Sequence, residues 1–326
     1  MTYTTRTATV AVVLMSTISA AAMAQSPAPR SGGDRSGPAK VSMLFPGGRS
    51  KALILSYDDG RTADRRLVRL MNKYRLRGTF HLNSGKLGTK DYLTSEEVRA
   101  LFRRHEVSVH SANHPPLTAI PKDSVIREIL DDRRALERLT GAPVRGMAYP
   151  FGNTNDSVAA TTRTLGIEYA RTVADTRGFG IPDDFLTWHP TIHQFGTAYF
   201  TPDDPERDRR EVAGFFQIVR TFLTTDSLAL LDVWGHSWEN EGAGDRWAET
   251  ERFFRMVAHR PDVCTITHIA LVDYIHAFRA LRYSVEGNSV TNLSAIAVFL
   301  RVDGKVVRVP GGSSAVLFKT SSGSVH

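Results

Sequence analysis

One cysteine, Cys264, stands in a chain of 326 residues. That excludes an internal disulfide framework and any thiolate metal cluster, so the core alone has to hold the fold. Cys264 lies in Val263-Cys264-Thr265-Ile266 and reads as an inert strand residue. Long apolar runs are also scarce, and beyond the first two dozen residues none approaches the roughly 20 that a membrane-spanning helix needs. Neither charge sign is lacking: 41 basic against 34 acidic residues leave a formal charge of +7. The basic residues are scattered in small groups (Arg65, Arg66, Arg69; Arg133, Arg134; Arg207, Arg209, Arg210). They form no stripe of the kind that tracks a phosphate backbone, so no nucleic-acid partner is expected. What remains is a chain with 41% hydrophobic and 23% charged residues, the composition of a globular protein with a sizeable core.

The N-terminus carries a targeting pattern. Arg6 precedes an uncharged stretch from Thr7 to Ala24, and Ala22-Met23-Ala24 fits the small-x-small rule for cleavage. An export signal over residues 1–24 is expected, with a periplasmic or extracellular mature protein and no stable membrane insertion after cleavage. The competing reading, a retained anchor, is opposed by the shortness of the segment and its Ala, Ser and Thr content. Residues 25–44, rich in Ser, Pro and Gly, read as a flexible linker.

Strand and helix signals then alternate. Strands are expected at residues 52–56, 78–83, 106–110, 145–149, 168–173, 187–193, 228–234 and 263–267. Helices are expected at 63–74, from Thr94 (a capping box with Glu97), and at 123–139, 157–165, 206–224, 246–259 and 271–281. This alternation implies a parallel sheet with helical crossovers. Polar residues stand at the C-terminal ends of several different strands, which a (β/α) barrel gathers on one face and a doubly wound sheet does not. A barrel over 45–282 is therefore expected. From Tyr283 the pattern turns to short strands around an Asp303-Gly304 turn, a small β appendage over 283–326. It is too short to fold alone without cysteines, so it should pack on the barrel. Ile296, Val298, Leu300 and Val302 would form its apolar face.

Two segments carry chemistry. Ala52-Leu53-Ile54-Leu55 leads into Ser56-Tyr57-Asp58-Asp59-Gly60, and Val107-Ser108-Val109 leads into His110-Ser111-Ala112-Asn113-His114. A carboxylate with two imidazoles is a metal-ligand set, and the second carboxylate is a spare base; together they suit hydrolysis by metal-activated water. Two aspartates before a glycine also make an ordinary turn, and His-x-x-x-His can be two surface residues of one helix. Pro115-Pro116 rules out a helix continuing past His114 and puts the pair in a loop at a strand end.

These segments resemble the polysaccharide deacetylase signature (NodB-homology, carbohydrate esterase family 4). Ala148-Tyr149-Pro150-Phe151-Gly152 is similar to its third motif. Leu230-Leu231-Asp232-Val233-Trp234-Gly235-His236 is similar to its last. The resemblance runs from about Leu53 to Leu281 and implies a distorted (β/α) barrel. It implies one divalent metal ion, zinc above all with cobalt or nickel also accepted, held by Asp59, His110 and His114. Asp58 would be the base, His236 the acid, and the Phe151 backbone N–H part of an oxyanion hole. Tyr149 and Trp188 would line the substrate site, and His193 would either join them or be a structural histidine. The implied substrate is an acetylated glycan bearing N-acetyl or O-acetyl groups. The same fold could also hydrolyse a non-sugar amide, or bind carbohydrate without turnover. One departure bears on this: the third motif commonly carries an arginine that pairs with the catalytic aspartate, and here that position is Ala148. Arg145, three residues back on the strand, should face the other way.

Overall fold

A computed structural model describes residues 40–196, 204–241 and 245–318. The expected export signal and most of the expected linker lie outside these described residues. In chain order the elements begin with β1 (Val41–Leu44), β2 (Lys51–Asp59), α1 (Asp64–Lys73), β3 (Thr79–Leu82), α2 (Ser95–Leu101) and β4 (Glu106–Val109). There follow α3 (Lys122–Thr140), β5 (Gly146–Ala148), α4 (Asp156–Thr164), β6 (Tyr169–Arg171), β7 (Ile192–His193) and α5 (Pro205–Thr224). Next come β8 (Ala229–His236), α6 (Trp247–Val257), β9 (Val263–Thr265) and α7 (His268–Arg279). Five short strands complete the chain: β10 (Arg282–Tyr283), β11 (Ser289–Asn292), β12 (Val298–Val302), β13 (Lys305–Val309) and β14 (Ser313–Val316).

Strands β2 to β9 form one parallel sheet in the order β6-β5-β4-β3-β2-β8-β7, with β9 beside the first half of β2. β2 is its spine and is buried along nearly its whole length, as a strand covered on both faces must be. Among the described residues β6 and β7 share no ladder, and past β6 the sheet continues only as an isolated bridge from Arg171 to Trp188, in the segment before β7. This is a distorted (β/α) barrel. The expected strand at 187–193 shrinks to Ile192–His193, because Pro190 offers no N–H to the ladder. Helix boundaries follow the local signals. α2 carries the Thr94–Glu97 capping box, and α3 ends at Gly141, whose φ of 73° is the left-handed stop that glycine accepts. No described helix is long and apolar enough to cross a membrane.

The short strands make two three-stranded sheets, β1-β12-β13 and β10-β11-β14. The linker boundary is therefore corrected: residues 41–44 are a strand, antiparallel to β12, with Val41 opposite Val302. Val298, Leu300 and Val302 are buried in one cluster with Leu271, Val272 and Ile275 of α7 and with Ile54 and Leu230 of the barrel. Ile296 falls before β12 and is exposed, so the apolar face begins at Val298. The Tyr274 hydroxyl pins the junction by donating to the Leu44 carbonyl and accepting from the Phe299 N–H.

Candidate active site

Parallel register decides which side chains meet at the barrel mouth. Asp58 of β2 is level with His81 of β3 on one side and His236 of β8 on the other. Asp59 ends β2 with a φ of 84°, and Ser111, His114 and Phe151 have φ of 59°, 62° and 58°. Such left-handed backbone in non-glycine residues costs energy and persists where the surroundings impose it, commonly at functional sites.

Asp59, His110 and His114 come together as the sequence predicts. Asp59 Oδ1 lies 3.8 Å from Nε2 of each histidine, and the two Nε2 atoms are 3.1 Å apart. Donors bound to one tetrahedral zinc at about 2.0–2.1 Å are separated by about 3.3 Å, so the triangle has the right scale. The remaining nitrogens and oxygens are tied back. His110 Nδ1–H donates to the Ala148 carbonyl at 2.8 Å, which leaves Nε2 as the bare lone pair. Trp238 Nε1–H donates to Asp59 Oδ2 at 2.9 Å, leaving Oδ1 for the triangle. Burial lowers the pKa of both imidazoles, that of His114 to about 4 with His110 adding to the effect. Both are neutral, the form a metal binds.

The loops bearing these ligands are fixed from behind. Asp132 of α3 accepts the backbone N–H of Ser84 at 2.7 Å and of His110 at 2.9 Å; burial pushes its own pKa up to about 7. The Asn83 amide donates to the carbonyls of His110 and Ser111.

Asp58 is buried, and burial by itself would raise its pKa. The Arg171 guanidinium, bonded to Oδ2, prevails with help from His110 and His81 and holds the carboxyl well below its ordinary range. Arg171 is fully buried at the end of β6, donates also to Ser56 Oγ at 3.1 Å, and lies over the Trp234 ring. Its register partner on β5 is Ala148. The arginine missing from position 148 is thus supplied from the same level of the next strand, across an alanine small enough to let it pass. Arg145 faces away, paired with Glu168 and Asp273. His81 Nδ1 stands 3.0 Å from Asp58 Oδ1, and burial keeps this imidazole neutral with a pKa near 3. Asp64, buried nearby, is driven to about 8 by burial and stays protonated, sparing the site another negative charge.

On the far side, His236 Nδ1 lies 2.9 Å from Glu239 Oε1, and Glu239 Oε2 accepts the His236 backbone N–H at 3.0 Å. Burial opposes charge on this imidazole, but the Glu239 carboxylate outweighs it and raises the pKa to about 9. Phe151 is exposed at the mouth, its ring edge-on to His114 at 4.6 Å between centroids.

Two assignments are corrected. Trp188 is wholly buried and donates its indole N–H to Asp232, so it belongs to the core and cannot face substrate. Tyr149 is likewise buried and bonds the Leu186 carbonyl. Both side chains pack inward, Trp188 against Tyr169, Phe185 and His268 and Tyr149 toward Leu186. His193 is buried beside Glu239, behind His236 and away from the first triangle. The sequence reading missed Arg171, His81, Glu239, Trp238 and Asp132. Only Glu239 had a local signal, three residues past His236.

Residues 47–170 match the family model for polysaccharide deacetylases. The chain is 26% identical over 110 residues to a peptidoglycan-N-acetylmuramic acid deacetylase of Bacillus subtilis, covering 33% of this chain and 23% of that protein. It is 25% identical over 134 residues to a chitooligosaccharide deacetylase of Sinorhizobium fredii, covering 40% and 61%. The chain thus spans about a quarter and three fifths of these two relatives. A putative polysaccharide deacetylase from Mycobacterium smegmatis has the same fold, with a TM-score of 0.54 at 16% identity over 74% of this chain and 96% of that one. With its motif residues assembled at one barrel mouth, this barrel is similar to the polysaccharide deacetylases of the NodB-homology family.

Proposed function

We propose that the protein is an exported, metal-dependent deacetylase hydrolysing N-acetyl or O-acetyl groups of a glycan. One observation carries this reading: a three-donor set, Asp59, His110 and His114, shares the barrel mouth with an ionised Asp58 and a protonated His236. Neutral imidazoles with both Nε2 atoms turned into the triangle and a carboxylate with Oδ1 beside them suit a divalent ion, zinc foremost, with cobalt and nickel compatible. Bound there, such an ion supplies Lewis acidity and a water that ionises near neutral pH. Asp58, ionised and clamped by Arg171, takes the proton of the attacking water. His236 keeps Nδ1 on Glu239 and presents Nε2–H to the leaving amine or alcohol. The Phe151 N–H, at the left-handed turn after β5, is assigned to the developing oxyanion, and the exposed Phe151 ring offers a sugar an apolar platform. The two relatives are named as deacetylases of peptidoglycan N-acetylmuramic acid and of chitooligosaccharide, which supports an acetylated glycan as substrate.

Acetate release from acetylated chito-oligosaccharides and peptidoglycan fragments tests the reading, before and after chelation and with zinc restored. Release that stops on chelation and returns with zinc is expected. Cleavage of small amides with no acetate from any glycan would transfer the activity to another substrate class, and turnover unaffected by chelation would remove the metal.

A further inference from the structure

We propose a second cation site, formed by His193, His236 and Glu239 on the side of the barrel mouth opposite the first donor set. The three residues offer ligand atoms all within 4.8 Å of one another. His2Glu is a set that zinc favours. A proton on His236 Nδ1 accounts for only part of the cluster: it satisfies Glu239 Oε1 at 2.9 Å and leaves His193 unexplained. His193 is 2% exposed, yet neither of its ring nitrogens has a hydrogen-bond partner among the described residues. Its Nε2 stands 3.2 Å from Glu239 Oε2 without the alignment of a hydrogen bond. A buried imidazole without an aligned hydrogen bond is destabilising, and a cation between the three donors would remove that cost.

There is space beside the donors as well. A Cβ added to Gly235 would stand 3.3 Å from Glu239 Oε2 and 3.5 Å from His193 Nε2, so the glycine keeps open the ground beside both. Backbone conformation does not demand glycine here, since Gly235 is not among the positive-φ residues. Binding exchanges the Nδ1 proton of His236, released to solvent, for a bond to the ion. His236 then carries only an Nε2–H on a metal-bound neutral ring, a far weaker acid than imidazolium. Zinc beyond the first equivalent should therefore slow the reaction; this consequence, unlike the site, rests on His236 being the acid.

The test is zinc stoichiometry of the full chain by elemental analysis after equilibrium dialysis at low micromolar zinc, with circular dichroism melts as the folding control. About two zinc ions per chain are expected for the unaltered protein and about one each for the folded variants H110A/H114A and H193A. Activity of the unaltered protein should fall roughly tenfold or more with excess zinc, and H193A should blunt that fall. About one zinc in the unaltered protein, lost in H110A/H114A and unchanged in H193A, overturns the second site; where either variant does not fold, D59A takes the place of H110A/H114A and E239Q that of H193A. One zinc that survives H110A/H114A and disappears in H193A upholds the second site and overturns the first.

Discussion

Asp59, His110 and His114 on one side of the barrel mouth, and Glu239, His236 and His193 on the other, are built from the same two side-chain types. Their protons are held in opposite ways. In the first set the carboxylate oxygen stays 3.8 Å from the imidazoles, and a backbone carbonyl takes the His110 Nδ1–H. Burial then wins and the rings are neutral. In the second set the carboxylate is at 2.9 Å from Nδ1 and also holds the backbone N–H of the same residue, so it beats burial and His236 is charged. The difference teaches that a histidine–carboxylate cluster is read by what occupies the far ring nitrogen. A neutral carbonyl there frees a lone pair; an anion there loads a proton.

Four substitutions, one of them joined by a rescue, break or sharpen this contrast. Asp58 stands between the two sets, and Asp58→Asn should lower kcat about a hundredfold or more while elemental analysis still finds the first-site metal. Near-normal turnover in that variant would move the base elsewhere. Arg171→Ala leaves the Asp58 carboxylate buried without its partner, and loss of one member of such a pair costs about 3–5 kcal/mol. Chemical denaturation should record that loss, with reduced turnover. Adding Ala148→Arg should restore part of both, because positions 148 and 171 are register partners; a double variant no better than the single one would refute the substitution of one arginine by the other.

The remaining two concern protons. As the proposed acid, His236 acts when protonated, so turnover should fall as pH rises through about 9. Its raised pKa also contributes stability that is present below the unfolded value and is lost as pH rises through about 9. Glu239→Gln removes the anion and should move the alkaline limb of the rate profile down toward the ordinary histidine value of about 6.5; an unmoved limb would assign it to another group. The smallest effect is expected from Asp64→Asn. Between 3.8 and about 8 the folded protein keeps this proton while the unfolded chain has lost it, so stability falls with rising pH over that window. The asparagine variant should gain melting temperature over the parent at the alkaline end of the window and little at the acid end, by about 2–4 °C per kcal/mol in a domain of this size.

The contrast also marks how far the residues alone could be read. The first set was legible because its members lie in two short segments, each at the end of an apolar run and each close in sequence. The helices were legible for the same local reason, as the Thr94–Glu97 box and the Gly141 stop show. Arg171 was not, since its partnership with Asp58 depends on β5 and β6 lying in a register that brings it level with Ala148. His81 and Trp238 reach the site in the same way, through neighbouring strands and a turn after β8. Trp188 and Tyr149 were misread because a motif places a residue near a site without fixing which face of the chain it occupies. The strand at 187–193 was overextended by treating its apolar residues as one run across Pro190.

The pairing of β1 with β12 has a consequence for the order of folding. Val41 finds Val302 only after nearly the whole described chain lies between them, a closure whose entropy cost comes before any reward from contacts. The clasp between the two ends is therefore a late event, and until it forms β1 has no partner strand and the apolar face of β12 lacks its neighbour.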